Sequence, residues 1–186
     1  MVALHPPVCQ FDWPAPAFEL MATDGKPYDL NALKGSNGLL VMFICNHCPY
    51  VQAILPRLVT TCRDLLAHGV NSVAIMANDT QTYPQDSFEQ MQLYAQRYAF
   101  PFPYLWDQTQ AVAKAYDAVC TPDFFGFNRD LLLQYRGRFD ASGAQAHEQT
   151  PGRRELFDAM VQIAKTGKGP QQQTPSIGCS IKWLVN

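Results

Sequence analysis

Two apolar patterns alternate along this chain. Gly38 to Ile44 (GLLVMFI) is a short, unbroken apolar run. That is how a strand covered on both faces of a sheet reads. From Pro49 to His68 the period becomes helical, with Val51, Ile54, Leu55, Leu58, Val59, Cys62, Leu65 and Leu66 on one stripe. Pro49 suits the first helical turn and Gly69 the position after the last. Pro56, inside the helix, is expected to delete one backbone hydrogen bond and kink it. Ser72 to Ala77 is a second strand. Asp86 with Glu89 then predicts a capped helix running to about Ala99, with Phe88, Met91, Ala95 and Tyr98 inward. The shorter elements are strands at Phe18–Leu20 and Tyr104–Trp106, a helical turn over Leu30–Gly35 after the turn Asp24–Pro27, and a helix over Thr109–Tyr116. Phe124–Phe127 and Leu131–Tyr135 predict a hairpin around Asn128-Arg129-Asp130, and Gly152–Thr166 a last helix. The order β, β, α, β, α, β, α, β, β, α predicts an α/β fold, a mixed β-sheet flanked by helices.

Length adds that this is one domain spanning 1–186, since about 150 residues make a domain. Residues 1–16, with Pro6, Pro7, Pro14 and Pro16, read as an extended lead-in. Residues 170–186 read as a tail that packs back on the domain, helped by Ile181 and Trp183. Charged residues are 16% of the chain against a typical ~25%, which argues against disorder. The net charge of −2 lacks the basic footprint of a nucleic-acid partner. No run approaches the ~18 apolar residues of a membrane span. The N-terminus lacks the basic and apolar regions of a signal peptide, so a cytoplasmic location is expected.

Six cysteines carry the chemistry: Cys9, Cys45, Cys48, Cys62, Cys120 and Cys179. Only Cys45 and Cys48 are closely spaced, as Cys45-Asn46-His47-Cys48-Pro49 between a buried strand and a helix. The free N–H groups and dipole of a helix N-terminus stabilise a thiolate. Cys45 is expected at the mouth as the exposed nucleophile, with Cys48 more buried as the resolving thiol. A partly protonated His47 would further stabilise the Cys45 thiolate. The spacing also fits half of a zinc site or two core cysteines, but no second Cys-x-x-Cys or His-x-x-x-His accompanies it, so no metal is expected. Cys120-Thr121-Pro122 precedes a strand. It fits a cis peptide bond or an ordinary trans proline at a strand start. Tyr135-Arg136-Gly137-Arg138 reads as a solvated hairpin end.

These segments together resemble the thioredoxin-like superfamily. The similarity is greatest to its redoxin branch, the peroxiredoxins and alkyl hydroperoxide reductase/thiol-specific antioxidant proteins. It is carried by Pro14–Leu20, Asp24–Tyr28, Leu39–Val51, Cys120–Phe124, Tyr135–Arg138 and Gly178–Trp183. The resemblance implies a thioredoxin-like fold in which the Cys-x-x-Cys faces a cis-proline, here Pro122. It also implies that the Thr121 backbone pairs with an extended substrate beside the disulfide. Asn46, His47, Thr121 and Pro122 would line that groove. Peroxiredoxins use Pro-x-x-x-Thr-x-x-Cys and a distant arginine. Aligned on Cys48, this chain has Val41 for the proline, Cys45 for the threonine, and Thr121-Pro122 near the arginine's place. These departures favour thiol–disulfide exchange over polarisation of a peroxide bond.

The expected activity is therefore thiol–disulfide exchange through Cys45 and Cys48, without organic cofactor or metal. Its partners would be thiol or disulfide proteins, small thiols and, on the family resemblance, peroxides. The first alternative is an antioxidant peroxidase with Cys48 peroxidatic and Cys45 resolving. The second is a non-enzymatic binding module using the groove at Pro122. Cys62 is expected in the core. Cys120 and Cys179 are either two unpaired thiols or auxiliary thiols that pair with each other or relay electrons to Cys45–Cys48.

Overall fold

The computed structural model describes residues 3–142 and 153–185. The predicted central strand is β4 (Gly38–Phe43), buried throughout. Its side chains alternate between two cores, as the two-residue repeat of a strand requires. Leu40 and Met42 join one core with the inward stripe of α2 (Pro49–Leu66), while Leu39, Val41 and Phe43 join the other. β5 (Val70–Met76) pairs parallel with β4 through the α2 crossover. β6 (Tyr104–Trp106) extends the parallel set through α3 (Phe88–Arg97).

The remaining strands of this sheet are antiparallel additions. β8 (Asp123–Asn128) pairs with β4, and β9 (Leu133–Tyr135) with β8. β2 (Glu19–Ala22) pairs with β6 and with β3 (Pro27–Asp29). The seven strands run β3-β2-β6-β5-β4-β8-β9. α2 and α5 (Glu155–Thr166) supply apolar residues to one core. α1 (Leu30–Leu33) and α4 (Ala111–Ala115) supply residues to the other, where Tyr116 packs against Trp13, Phe18, Phe43, Phe125 and Phe127. No helix among the described residues is long and apolar enough to cross a membrane.

Several local expectations change. β3 was not anticipated; the Asp24–Pro27 turn proves to be the tip of a β2–β3 hairpin. Helix α3 is capped by Ser87, whose Oγ accepts from the Gln90 N–H, and not by Asp86. Leu66 keeps the spacing of the stripe but is 50% exposed, at the last residue of α2. The expected Gly152 start of the last helix lies outside the described residues.

Arg136 is not solvated. It is 6% exposed, with Nη2 3.0 Å from Asp123 and its guanidinium 4.5 Å from the Phe125 ring centre. The cationic run faces inward because β9 pairs beside β8, so Arg136 lies over Phe125 and reaches the buried Asp123. Arg138 instead forms a two-bonded fork with Glu155 at 2.9 and 2.8 Å.

A second, three-stranded sheet was also unforeseen. It runs β1-β10-β7, with β1 (Ala3–Leu4), β10 (Gly178–Ser180) and β7 (Cys120–Thr121) all antiparallel. This small sheet closes over the start of α2.

Candidate active site

The strand-to-helix junction delivers both cysteines of the Cys-x-x-Cys. Cys48 is the N-cap residue of α2, with Pro49 at the first helical position. Thr121, joined to Pro122 by a cis peptide bond, touches both sulfurs. Cys45 Sγ lies 3.4 Å from Thr121 Oγ1, and the Cys48 S–H donates to the Thr121 carbonyl at 3.1 Å. The structure thus brings Cys45, Cys48, Thr121 and Pro122 together.

Cys45 is not at an exposed mouth. It is 1% exposed and Cys48 0%. Both belong to one apolar cluster that also holds Cys179 of β10. Thr121 does pair with an extended strand, but that strand is the chain's own tail, in the register Cys179↔Thr121 and Ser180↔Cys120. Gly178 permits the approach: a Cβ there would lie 2.2 Å from the Thr121 carbonyl oxygen. The tail is further fastened by Ser176 Oγ donating to Pro122 O at 3.1 Å and by Asp79 N–H donating to Lys182 O at 2.8 Å.

The two residues between the cysteines are held from the opposite side. Asp86 is fully buried at the end of a 3₁₀ turn, Pro84–Asp86. Its Oδ1 accepts from the Asn46 N–H at 2.8 Å and the His47 N–H at 3.4 Å. Its Oδ2 accepts from Asn78 Nδ2 at 2.8 Å and from His47 Nδ1 at 2.7 Å. The carboxylate accepts this last bond, which puts the ring proton on Nδ1. The His47 ring stacks flat on Tyr83, 5.5 Å away and 5° from parallel. Asn46 is buried, with Oδ1 accepting from Tyr104 OH at 3.1 Å and Nδ2 donating to Gln85 O at 3.0 Å.

His47 turns its Nδ1 to Asp86. Asp86 is the site residue that sequence reasoning placed elsewhere. Its spacing to Glu89 looked like a helix cap, and nothing local signalled a loop nearly forty residues upstream. Asn78 extends the network to the tail, since its Oδ1 accepts from the Lys182 N–H at 2.9 Å.

The two thiols titrate as a pair. A hydrogen bond from Cys45, the largest influence, brings Cys48 down to about 5 against the cost of burial. Thr121 and both the thiol and backbone N–H of Cys179 lower it further. On ionisation, bonds accepted from these donors replace the one Cys48 gave to the Thr121 carbonyl. Cys45 is pushed well above the ordinary thiol range, first by its bond to Cys48, then by burial and by the Asp86 charge. Burial first, and then its bond to Cys48, push Cys179 up to about 12.

One donor atom each from Cys45, His47 and Asp86 lies within 4.8 Å of the others. The set does not fit a metal ion well. The Asp86 carboxylate already accepts four hydrogen bonds, which occupy its lone pairs.

Cys120 and Cys179 do not face each other. Residues directly opposite in an antiparallel pair share a face. Cys179 is opposite Thr121 and Cys120 opposite Ser180, so the two sulfurs project from opposite faces of the ribbon. Burial pushes Cys120 far above the ordinary thiol range. Cys62 sits in the core, pushed up to about 12 by burial. Beyond Pro122 lies a mostly apolar cavity of about 220 Å³ lined by Tyr50, Ile54, Phe124, Phe139 and Ile177.

A mixed sheet with flanking helices, and a dithiol at a helix start facing a cis-proline, define a thioredoxin-like redox protein. Within that class, the AhpC/TSA family model matches residues 12–139, and the chain belongs to the AhpC/TSA family. A search of curated proteins finds no match. Among solved structures, it is similar to an uncharacterized conserved protein from Geobacillus kaustophilus at 42% identity, covering 100% of this chain and 98% of that one, with a TM-score of 0.92. It is also similar to a hypothetical protein from Sinorhizobium meliloti 1021 at 36% identity, covering 98% and 99%, with a TM-score of 0.88. A thiol:disulfide interchange protein of the thioredoxin family from Chlorobium tepidum shares the fold at 20% identity, covering 81% and 94%, with a TM-score of 0.60.

Proposed function

We propose that this protein is a thiol–disulfide oxidoreductase whose working couple is Cys45 and Cys48. The observation that carries this reading is the placing of both sulfurs on one residue, Cys45 Sγ 3.4 Å from Thr121 Oγ1 and Cys48 Sγ 3.1 Å from the Thr121 carbonyl, with Cys48 at the N-cap of α2. The order of attack reverses the sequence expectation. What supports Cys48 as the first nucleophile is its place at the N-cap of α2, where the helix dipole favours a thiolate, together with its lowered pKa beside a raised Cys45. The Cys48 thiolate attacks a substrate disulfide, forms a mixed disulfide and expels one substrate sulfur as thiolate. The Cys45 proton goes to that leaving group. The Cys45 thiolate then attacks Cys48 Sγ, releasing the second substrate sulfur and leaving Cys45–Cys48 oxidised. Two electrons pass to the substrate, and a thiol donor returns them by the reverse exchange.

Equilibration in glutathione redox buffers tests this. The expected result is one two-electron transition that disappears in Cys48→Ser. No reversible transition in the wild-type protein refutes the proposal.

A peroxidase reading draws on the same observation, because the acidic thiol is Cys48, at the position aligned with the family's peroxidatic cysteine. Peroxide would oxidise Cys48 to sulfenic acid, and Cys45 would condense with it, releasing water. Rapid mixing of Cys45→Ser with peroxide decides it. A rate no faster than that of a free thiol ends this reading.

A further inference from the structure

β10 places a third sulfur in the site that the Cys45–Cys48 couple does not use. Cys179 pairs in register with Thr121, the residue that touches both couple sulfurs. Residues opposite one another on antiparallel strands share a face, so Cys179 projects to the side of the ribbon that Thr121 turns to the couple. Cys179 is buried in the same apolar cluster as Cys45 and Cys48, directly opposite the residue whose carbonyl accepts the Cys48 S–H. Gly178 lets the strand lie against Thr121, and Ser176, Ile181 and Lys182 fasten it on both sides. An extended segment carrying a sulfur against Cys48 is the geometry of a substrate strand in a mixed disulfide, here supplied by the chain itself.

We propose that Cys179 is a third redox thiol, which exchanges with the oxidised couple to give a Cys48–Cys179 disulfide and locks the tail strand over the site. The inference rests on the oxidoreductase reading above. The Cys179 thiolate attacks Cys48 Sγ of the Cys45–Cys48 disulfide. A Cys48–Cys179 bond forms, the Cys45–Cys48 bond breaks, and the electron pair leaves on Cys45 Sγ, which takes up the proton given by Cys179. No net oxidation occurs, and no further reactant is needed. The two disulfides are alternative homes for one oxidising equivalent. In the second, β10 is held covalently at the edge where Thr121 would otherwise pair with an incoming chain.

Non-reducing peptide mapping tests this, because trypsin separates the sulfurs into Met1–Lys34 (Cys9), Gly35–Arg57 (Cys45 and Cys48), Leu58–Arg63 (Cys62), Ala115–Arg129 (Cys120) and Gly169–Lys182 (Cys179). Full-length Cys45→Ser protein is oxidised with one equivalent of diamide, which takes two electrons and two protons from a thiol pair. The expected product is Gly35–Arg57 linked to Gly169–Lys182, lost on reduction and in Cys45→Ser/Cys179→Ser, and kept in Cys45→Ser/Cys120→Ser. The wild-type protein, acid-trapped from glutathione buffers, is mapped in parallel as the correctly folded reference. It should show the disulfide within Gly35–Arg57 together with a fraction linked to Gly169–Lys182. Wild type with the internal disulfide, but no 48–179 link in either protein, overturns this inference and leaves the oxidoreductase reading standing. Wild type with neither disulfide overturns both.

Discussion

Removing the Cys45 thiol should return Cys48 part of the way to an ordinary thiol. Cys48 falls from 9.0 to about 5, and the bond from Cys45 is its largest cause. At 1.36 kcal/mol per unit, that fall is worth about 5 kcal/mol between the two protonation states. A hydrogen bond to a charged group contributes about 1.5–3 kcal/mol. Cys45→Ala should therefore raise the Cys48 midpoint by about one to two pH units, leaving Thr121 and Cys179 to hold the remainder. The assay is the ultraviolet absorbance of the thiolate, followed from acid to alkaline pH on the reduced protein; it needs no reagent to reach a buried sulfur. Stability follows with a definite sign. The folded value of Cys48 lies below its unfolded value, so its contribution is present at high pH and is lost as pH falls through about 5. The reduced protein should gain about 2–3 kcal/mol relative to the disulfide form between pH 5 and pH 7. Cys45, displaced upward, opposes this only above the ordinary thiol range. A wild-type midpoint near that of a free thiol, or no movement in Cys45→Ala, refutes the account of Cys48 as the acidic partner.

Other perturbations have equally definite outcomes. Asp86→Asn removes a negative charge that raises Cys45, so the alkaline midpoint of thiolate absorbance in the reduced protein should fall; an unchanged or higher alkaline midpoint contradicts this. Gly178→Ala puts a Cβ against the Thr121 carbonyl, so denaturant unfolding should show a loss of about 1–3 kcal/mol, and the tail should become open to limited proteolysis. Arg136→Met strips the partner from buried Asp123 and should cost about 3–5 kcal/mol, against under about 1 kcal/mol for Arg138→Met at a partly exposed pair. Equal costs would show that burial of the first pair does not matter.

How much of this was legible follows from which signals are local. β4, α2 and β5 stood out because an unbroken apolar run and a helical stripe identify elements from neighbours alone. The Cys-x-x-Cys was placed by the same logic, since the junction of those elements is a helix N-terminus whatever the rest of the chain does. The cis peptide at Thr121-Pro122 was not decidable from spacing and came from family resemblance. Arg136 was misread because a charged pair beside a glycine looks solvated until β9 lies next to β8 and Asp123 comes within reach. The places of Asp86 and Cys179 were not legible for a shared reason. Each acts on Cys45-Asn46-His47-Cys48 from far along the sequence, and neither sits in an element whose periodicity reveals what it faces. Cys120 and Cys179 were grouped as auxiliary thiols. Only the strand register, Cys179 on Thr121 and Cys120 on Ser180, sends them to opposite faces.

The tail also explains why an acidic thiol can be buried here. A thiolate away from water is costly unless donors surround it. Around Cys48 those donors come from three directions: Cys45 on the loop, Thr121 on β7, and the thiol and N–H of Cys179 on β10. Displacing β10 therefore does two things at once. It bares the Thr121 edge and both sulfurs to a substrate, and it removes two of the donors that keep Cys48 ionised. A substrate that replaced β10 in the same antiparallel register would restore a backbone N–H at the position Cys179 now holds. The site would then be most reactive toward disulfides carried on extended chains able to make that pairing, and less so toward small disulfides that open the tail without replacing it.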